Sequence, residues 1–132
     1  MNRMTALSTP AAPTPLGHYR QGMRVAGLVY MSGQLPIVPG MQPDNQAASF
    51  EQQAELVLRN FLAVVAAAGA CREDVVKVTA YVVGSMNWPT FNRVFAEAFG
   101  EHRPARSVVP VPELHHGYLI EIDGVALEPA AA

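Results

Sequence analysis

The 132 residues suffice for one domain with one sizeable core, and not for two. Half of them are apolar and 15% are charged, with a net charge of −2 and a pI near 6.0, the balance of a globular protein. No Lys/Arg cluster supplies the electrostatic footprint of a nucleic-acid binder, and no apolar run approaches the ~18 residues a membrane helix needs.

The first stretch, MNRMTALSTPAAPTP, lacks the continuous apolar region of a signal peptide. Its Pro, Thr and Ala content predicts a flexible arm over residues 1–14, a single domain over 15–128 and a flexible tail over 129–132. Residues 17–21 and 28–32 read as two short strands around an Ala26-Gly27 turn. The second of these runs into Ser32-Gly33-Gln34, a hydroxyl, a bare backbone and an amide in succession. Such an ending is either a plain turn or the wall of a ligand site. A loop over residues 36–48 follows, marked by Pro36, Pro39, Gly40, Pro43, Asp44 and Asn45.

Ser49-Phe50-Glu51-Gln52 matches a capping box, and Phe50, Ala54, Val57, Phe61, Val64 and Ala68 recur at helical spacing up to Gly69. The β-branched run over residues 74–83 predicts a strand. Asn87 and Pro89 start a second helix, with Phe91, Val94, Phe95, Ala98 and Phe99 on its apolar face and Gly100 as its stop. Strands over 105–111 and 118–127 complete the order β-β-α-β-α-β-β. That order fits an α+β domain with one sheet and both helices on one face.

The last strand carries a phase. Ile120, Ile122 and Ala126 share one face, while Leu119, Glu121, Asp123 and Val125 share the other. Helices covering the Ile face leave Glu121 on a bare, partly apolar face, which predicts self-association.

Arg106 opens a strand of small and β-branched residues, where a guanidinium can hold a carboxylate through two parallel hydrogen bonds or simply stand in solvent. Glu121, flanked by Ile120 and Ile122, is either a solvated strand residue or a carboxylate of raised pKa able to move a proton. His115-His116, placed on a strand, would point to opposite faces, so a shared metal ion is not expected. The lone Cys71 has no thiol partner, which predicts a reducing, cytoplasmic setting and no catalytic thiol. Neither a phosphate-binding Gly loop nor a Gly-x-Ser-x-Gly elbow is present.

Five segments, "LGHYRQGMRVAGLVYMSGQLPI", "AELVLRNFLAVVAAAGACREDVVKVTAYV", "FNRVFAEAF", "RPARSVVPV" and "YLIEIDGVA", together resemble the Rid family of enamine/imine deaminases from about Pro15 to Leu127. The combination of "SGQ", "PARS" and a late "IEI" is its specific mark. The resemblance implies a mixed sheet with two helices on one face, chorismate-mutase-like, in homotrimers whose sheets form a central barrel with clefts between subunits. Carried over by position, Arg106 resembles the carboxylate-binding arginine and Glu121 the acid that positions the hydrolytic water. Tyr19 resembles the tyrosine that closes the cleft, Ser32 the serine that lines it and Asn92 a cleft asparagine, while Val108 is expected to contribute through its peptide groups. Departures ring the same cleft: Gly17-His18-Tyr19 stands where Gly-Pro-Tyr is usual, Val108 replaces a small residue or cysteine, and residues 112–117, "PELHHG", leave the usual pattern.

The activity implied is hydrolytic deamination of small 2-imino or 2-enamino acids, such as 2-iminopropanoate, to 2-keto acids and ammonia, with no metal or organic cofactor. Alternatives are a pathway-specific deaminase of a larger, aminomuconate-like acid and a non-catalytic binder of small carboxylates. The ribonuclease activity ascribed to some members is disfavoured by the acidic charge balance.

Overall fold

The structure, a computed structural model, describes residues 3–44 and 48–130. Six strands form one mixed sheet: β1 (Met4–Leu7), β2 (Gly22–Val25), β3 (Leu28–Gln34), β4 (Val75–Val82), β5 (Ala105–Pro110) and β6 (Ile120–Leu127), in the spatial order β1-β2-β3-β6-β4-β5. Neighbours are antiparallel except β4 and β5, which run parallel because α2 (Trp88–Phe99) carries the chain back between them. No helix among the described residues is long and apolar enough to cross a membrane.

The turn between β2 and β3 needs two residues of positive φ, and Ala26 (51°) and Gly27 (79°) supply them, matching the right-handed twist of the strands they join. Helix α1 (Phe50–Ala67) begins with the expected capping box. The Ser49 hydroxyl accepts from the Gln52 N–H at 3.1 Å, and the Gln52 side chain accepts from the Ser49 N–H at 3.0 Å. Its stripe of Phe50, Ala54, Val57, Phe61 and Val64 is buried. Helix α2 starts where Asn87 and Pro89 announce it: Asn87 holds the N-cap position, its amide donating to the Val83 carbonyl at 2.9 Å, and Pro89 stands in the first turn. Phe91, Val94, Phe95 and Phe99 close over the sheet.

Both helices lie on one face, above Val29, Met31, Val78, Ala80, Ile120, Ile122 and Ala126, none of them more than 4% exposed. The phase read from the last strand therefore holds, with Glu121, Asp123 and Val125 on the opposite, half-exposed side.

Two expectations are corrected. The first strand of the hairpin lies at Gly22–Val25, and residues 17–21 belong to no strand. The segment expected as a loose arm instead contributes β1, an edge strand paired with β2 from Met4↔Val25 to Leu7↔Gly22. One side chain explains much of both. Gln21 is 4% exposed, and its amide accepts from the Thr9 N–H at 2.7 Å while donating to the carbonyls of Thr9, Ala12 and Pro13 at 3.0, 3.3 and 2.9 Å. A buried amide so engaged ties residues 9–13 to the sheet. Of the expected tail, Pro129 and Ala130 belong to no element, and residues 131 and 132 lie outside the described residues, as does Asn45 of the loop.

Gln21→Ala is expected to cost about 1–3 kcal/mol, since it strands buried backbone groups. Urea denaturation measures it; an unchanged midpoint would mean that residues 9–13 are not held by this amide.

Candidate active site

Between β3 and β6 the pairing slips. Met31 stands opposite Gly124 and Gln34 opposite Ile122, so Ser32 and Gly33 together face the single residue Asp123. This is a β-bulge, a device that bends a strand and re-aims its side chains. The Ser32 N–H donates to the Gln21 carbonyl at 2.9 Å, its hydroxyl donates to the Arg20 carbonyl, and the Gln34 amide donates back to the Ser32 carbonyl at 3.2 Å. Just beyond, the buried Asn60 amide donates to the carbonyls of Leu35 and Ile37, each at 2.9 Å. The irregular stretch after β3 is thus rigidly tied.

It forms one wall of a cleft of about 640 Å³. Pro13, Thr14, Gly17 and Tyr19 make a second wall, and Glu121 lies with Ser32 and Gly33 at the bulge. Tyr19 is 51% exposed, at the rim. The short 3₁₀ turn His115–Gly117 brings both histidines to the same cleft, with His116 at φ 61°. That corrects their placement on a strand: the Leu-His-His-Gly run turns, and a turn can direct adjacent side chains to one hollow. Among the described residues no three His, Cys, Asp or Glu side chains converge as metal ligands.

Glu121 is half-buried and makes no ion pair or hydrogen bond to the described residues. Burial pushes its carboxyl above the ordinary range, the Asp123 charge pushes it further, and His115 opposes them. Asp123 is itself raised, chiefly by burial, although the Tyr81 hydroxyl donates to it at 3.3 Å and Lys77 attracts it. Register places all these groups on the bare face: Tyr81 is paired with Glu121, Thr79 with Asp123 and Lys77 with Val125.

Arg106 lies elsewhere. It pairs with Val78, and Val108 with Ala80, so both point to the helix side of the sheet. The guanidinium Nη1 donates to Asn92 Oδ1 at 3.0 Å and stacks over Phe95 and Phe91, 5.0 and 5.4 Å from their centroids. No carboxylate among the described residues pairs with it. Val108 lines a shallow hollow with Val82, Trp88 and Pro110.

The six residues expected at the site therefore fall into two groups. Tyr19, Ser32 and Glu121 share the cleft; Arg106, Asn92 and Val108 sit beside α2, with β4 between the two strands and the sheet between the two side chains. Pattern reading missed Pro13 and Thr14, hidden in an apparent arm; it weighed the histidines as ligands, while the family resemblance set residues 112–117 at the cleft rim. Their proximity has no signal in local spacing.

The sequence model of the endoribonuclease L-PSP family matches residues 9–128. The chain belongs to that family. It is the Rid family that the motifs resemble. A 2-iminobutanoate/2-iminopropanoate deaminase of Dermatophagoides farinae is 35% identical over 130 residues, covering 96% of this chain and 98% of that protein. The putative reactive intermediate deaminase TdcF of Escherichia coli K12 is 35% identical over 127 residues, 94% of this chain and 97% of its own. The crystal structure of E. coli TdcF with bound serine superposes with a TM-score of 0.89 at 33% identity, over 95% of this chain and 99% of that one. The mixed sheet with two helices is thus the family's fold.

The raised Glu121 predicts a stability change of definite sign. Ionised Glu121 is disfavoured in the folded chain and free in the unfolded one, so stability falls as pH rises through its raised pKa. Glu121→Gln should therefore melt higher than the parent at pH 7, and the difference should vanish below about pH 4, where the unfolded carboxylate is neutral too. Calorimetry at both pH values checks it; a Gln variant less stable at pH 7 would contradict the cause assigned to the shift.

Proposed function

We propose that this protein hydrolyses small 2-imino and 2-enamino acids, of the 2-iminopropanoate class, to 2-keto acids and ammonia. The observation that carries the reading is the cleft carboxylate: Glu121 is half-buried, raised in proton affinity and uncommitted to any partner among the described residues, with Ser32 and Tyr19 at the same hollow. Of the relatives that cover nearly the whole chain, one is named a 2-iminobutanoate/2-iminopropanoate deaminase and another a putative reactive intermediate deaminase.

Substrate carboxylate binds Arg106, whose fork is oriented by Asn92 and by the Phe95 ring, with the peptide groups at Val108 beside it. Because Arg106 and Glu121 lie on opposite sides of one sheet, the reading takes each site from two copies: Arg106, Asn92 and Val108 of one subunit facing Tyr19, Ser32 and Glu121 of the next. A homotrimer that buries the bare face, where Tyr30 and Val109 are 46% and 37% exposed, supplies that arrangement.

In the reaction Glu121 takes a proton from a water as its oxygen bonds to the imine carbon, giving a tetrahedral amino alcohol. The carboxyl then returns the proton to nitrogen; as the C–N bond breaks, the freed carboxylate takes the hydroxyl proton and passes it to the departing ammonia, which leaves as ammonium while the carbonyl of the keto acid forms. A carboxyl of raised pKa suits both halves, since it must accept and return a proton near neutral pH. Enamines enter after tautomerising to the imine. A protonated C=N bond is electrophilic enough that the proposal invokes no cofactor. The exposed thiol of Cys71 suits a reducing cytoplasm.

Ammonia release from freshly generated 2-iminopropanoate tests the activity; keto-acid binding without release would make the protein a carboxylate binder instead. Arg106→Lys should keep the fold and lose most turnover, because an ammonium cannot hold a carboxylate through a planar fork.

Shared sites make a sharper test. Arg106→Ala and Glu121→Ala chains, each inactive alone, should regain activity when co-expressed, approaching about a quarter of the parental rate for random trimers. No recovery, or a monomer by light scattering, would remove the shared-cleft arrangement.

A further inference from the structure

We propose that Gly33 is a positioning residue for Glu121, its missing side chain being the seat on which the Glu121 carboxylate lies. The inference rests on the reading of Glu121 as the group that holds the attacking water.

A methyl group placed on Gly33 would fall 2.9 Å from Glu121 Oε2, 3.2 Å from its Cδ and 3.5 Å from its Cγ. The three nearest atoms thus all belong to one side chain. Backbone conformation does not call for glycine here, because Gly33 is absent from the positions of positive φ, which include Gly27, Gly40 and Gly84. The requirement is one of space, and the space is occupied by the carboxylate.

Gly33 has little freedom to retreat. Its predecessor Ser32 is fastened to the Gln21 and Arg20 carbonyls, and its successor Gln34 is buried and paired opposite Ile122. The bulge fixes the backbone, so an added methyl must move Glu121 instead. Glu121 can yield, since its carboxylate ends a flexible side chain beside an open cleft. Alanine at this position is therefore compatible with the fold and incompatible with the carboxylate's present place.

Misplacing a reacting group by about an ångström can cost about 10²-fold in rate. Gly33→Ala should accordingly lower kcat on 2-iminopropanoate by about 10–10²-fold. KM and the affinity for 2-ketobutanoate should stay near parental values, because carboxylate anchoring is assigned to Arg106. The acid limb of the pH–rate profile should also move to lower pH, as Glu121 is displaced from burial and from Asp123 toward water. The groups facing it are Asp123 on its own strand, Tyr81 from β4, His115 and His116 from the preceding turn, and Tyr19 across the cleft.

The decisive experiment is a double-mutant cycle of Gly33→Ala and Glu121→Ala. A large loss from Gly33→Ala in the parent, with no further loss when it is added to Glu121→Ala, supports the seat. Full turnover by Gly33→Ala beside a dead Glu121→Ala overturns the seat and leaves the deaminase reading standing. Full turnover by Glu121→Ala overturns the role of Glu121 and the seat with it. An equal loss in both backgrounds overturns the seat by showing action through another group. Should Gly33→Ala melt early, the pH profile of its residual activity decides: a shifted acid limb supports the seat, and an unshifted one overturns it.

Discussion

One strand imposes the order of the molecule. Along β6, Ile120, Ile122 and Ala126 point to the helices and are fully buried, while Glu121 and Asp123 point the other way. Burying an Ile side chain is worth about 1.5–3 kcal/mol, whereas an ionised carboxylate on that side would be strongly disfavoured. A slip of one residue would reverse both. The register is thus fixed from two directions at once. Through it the phases of β4 and β5 are fixed as well, so that Tyr81 sits with Glu121 while Arg106 and Val108 go to the helix side. The separation of anchor and base follows directly from a period of two.

The face without helices is not a finished surface. Tyr81, Asp123, Lys77 and Ser107 make polar contacts across it, with exposed Tyr30 and Val109 among them. Its two carboxyls are already raised by burial in the single chain. In the assembly proposed above a neighbour's sheet would remove more water from them, which raises them, while the facing Arg106 guanidinium would pull Glu121 back down. Association and proton affinity are then one effect: the contact that completes the site with Arg106 also tunes the group that uses it.

Much of the fold was legible because it obeys local rules. Ser49 and Gln52 announce α1, Gly69 ends it, and the β-branched run marks β4 within a residue at each end. β1 was not legible. Four residues, MTAL, lie between polar and Pro-rich neighbours, and three of the four remain exposed, so no apolar alternation betrays them. The hairpin's first strand begins later than composition suggests, because residues 17–21 resemble a strand while Gln21 turns its amide inward to the preceding segment. Of the site, the residue types were legible and their grouping was not: Arg106 and Glu121 are 15 positions apart in sequence and on opposite sides of the sheet in space.

What the sequence conceals most completely is the scaffold of the cleft. Among the described residues the buried polar side chains are Gln21, Gln34, Gln53 and Asn60, all of them amides. Gln21 holds the Pro13 wall, Asn60 holds Leu35 and Ile37, Gln34 holds the Ser32 carbonyl, and Gln53 joins the Ala48 carbonyl to the Leu119 N–H. A cleft wall that bulges and bends cannot satisfy its peptide groups with a neighbouring strand, yet each buried group left unpaired is costly. An amide offers two donors and an acceptor without a charge, so it can replace a missing ladder partner inside the core. In sequence such residues look like surface. Their burial here marks the places where regular structure was given up, and three of them, at Pro13, at Ser32 and at Leu35 and Ile37, line the cleft that holds Glu121.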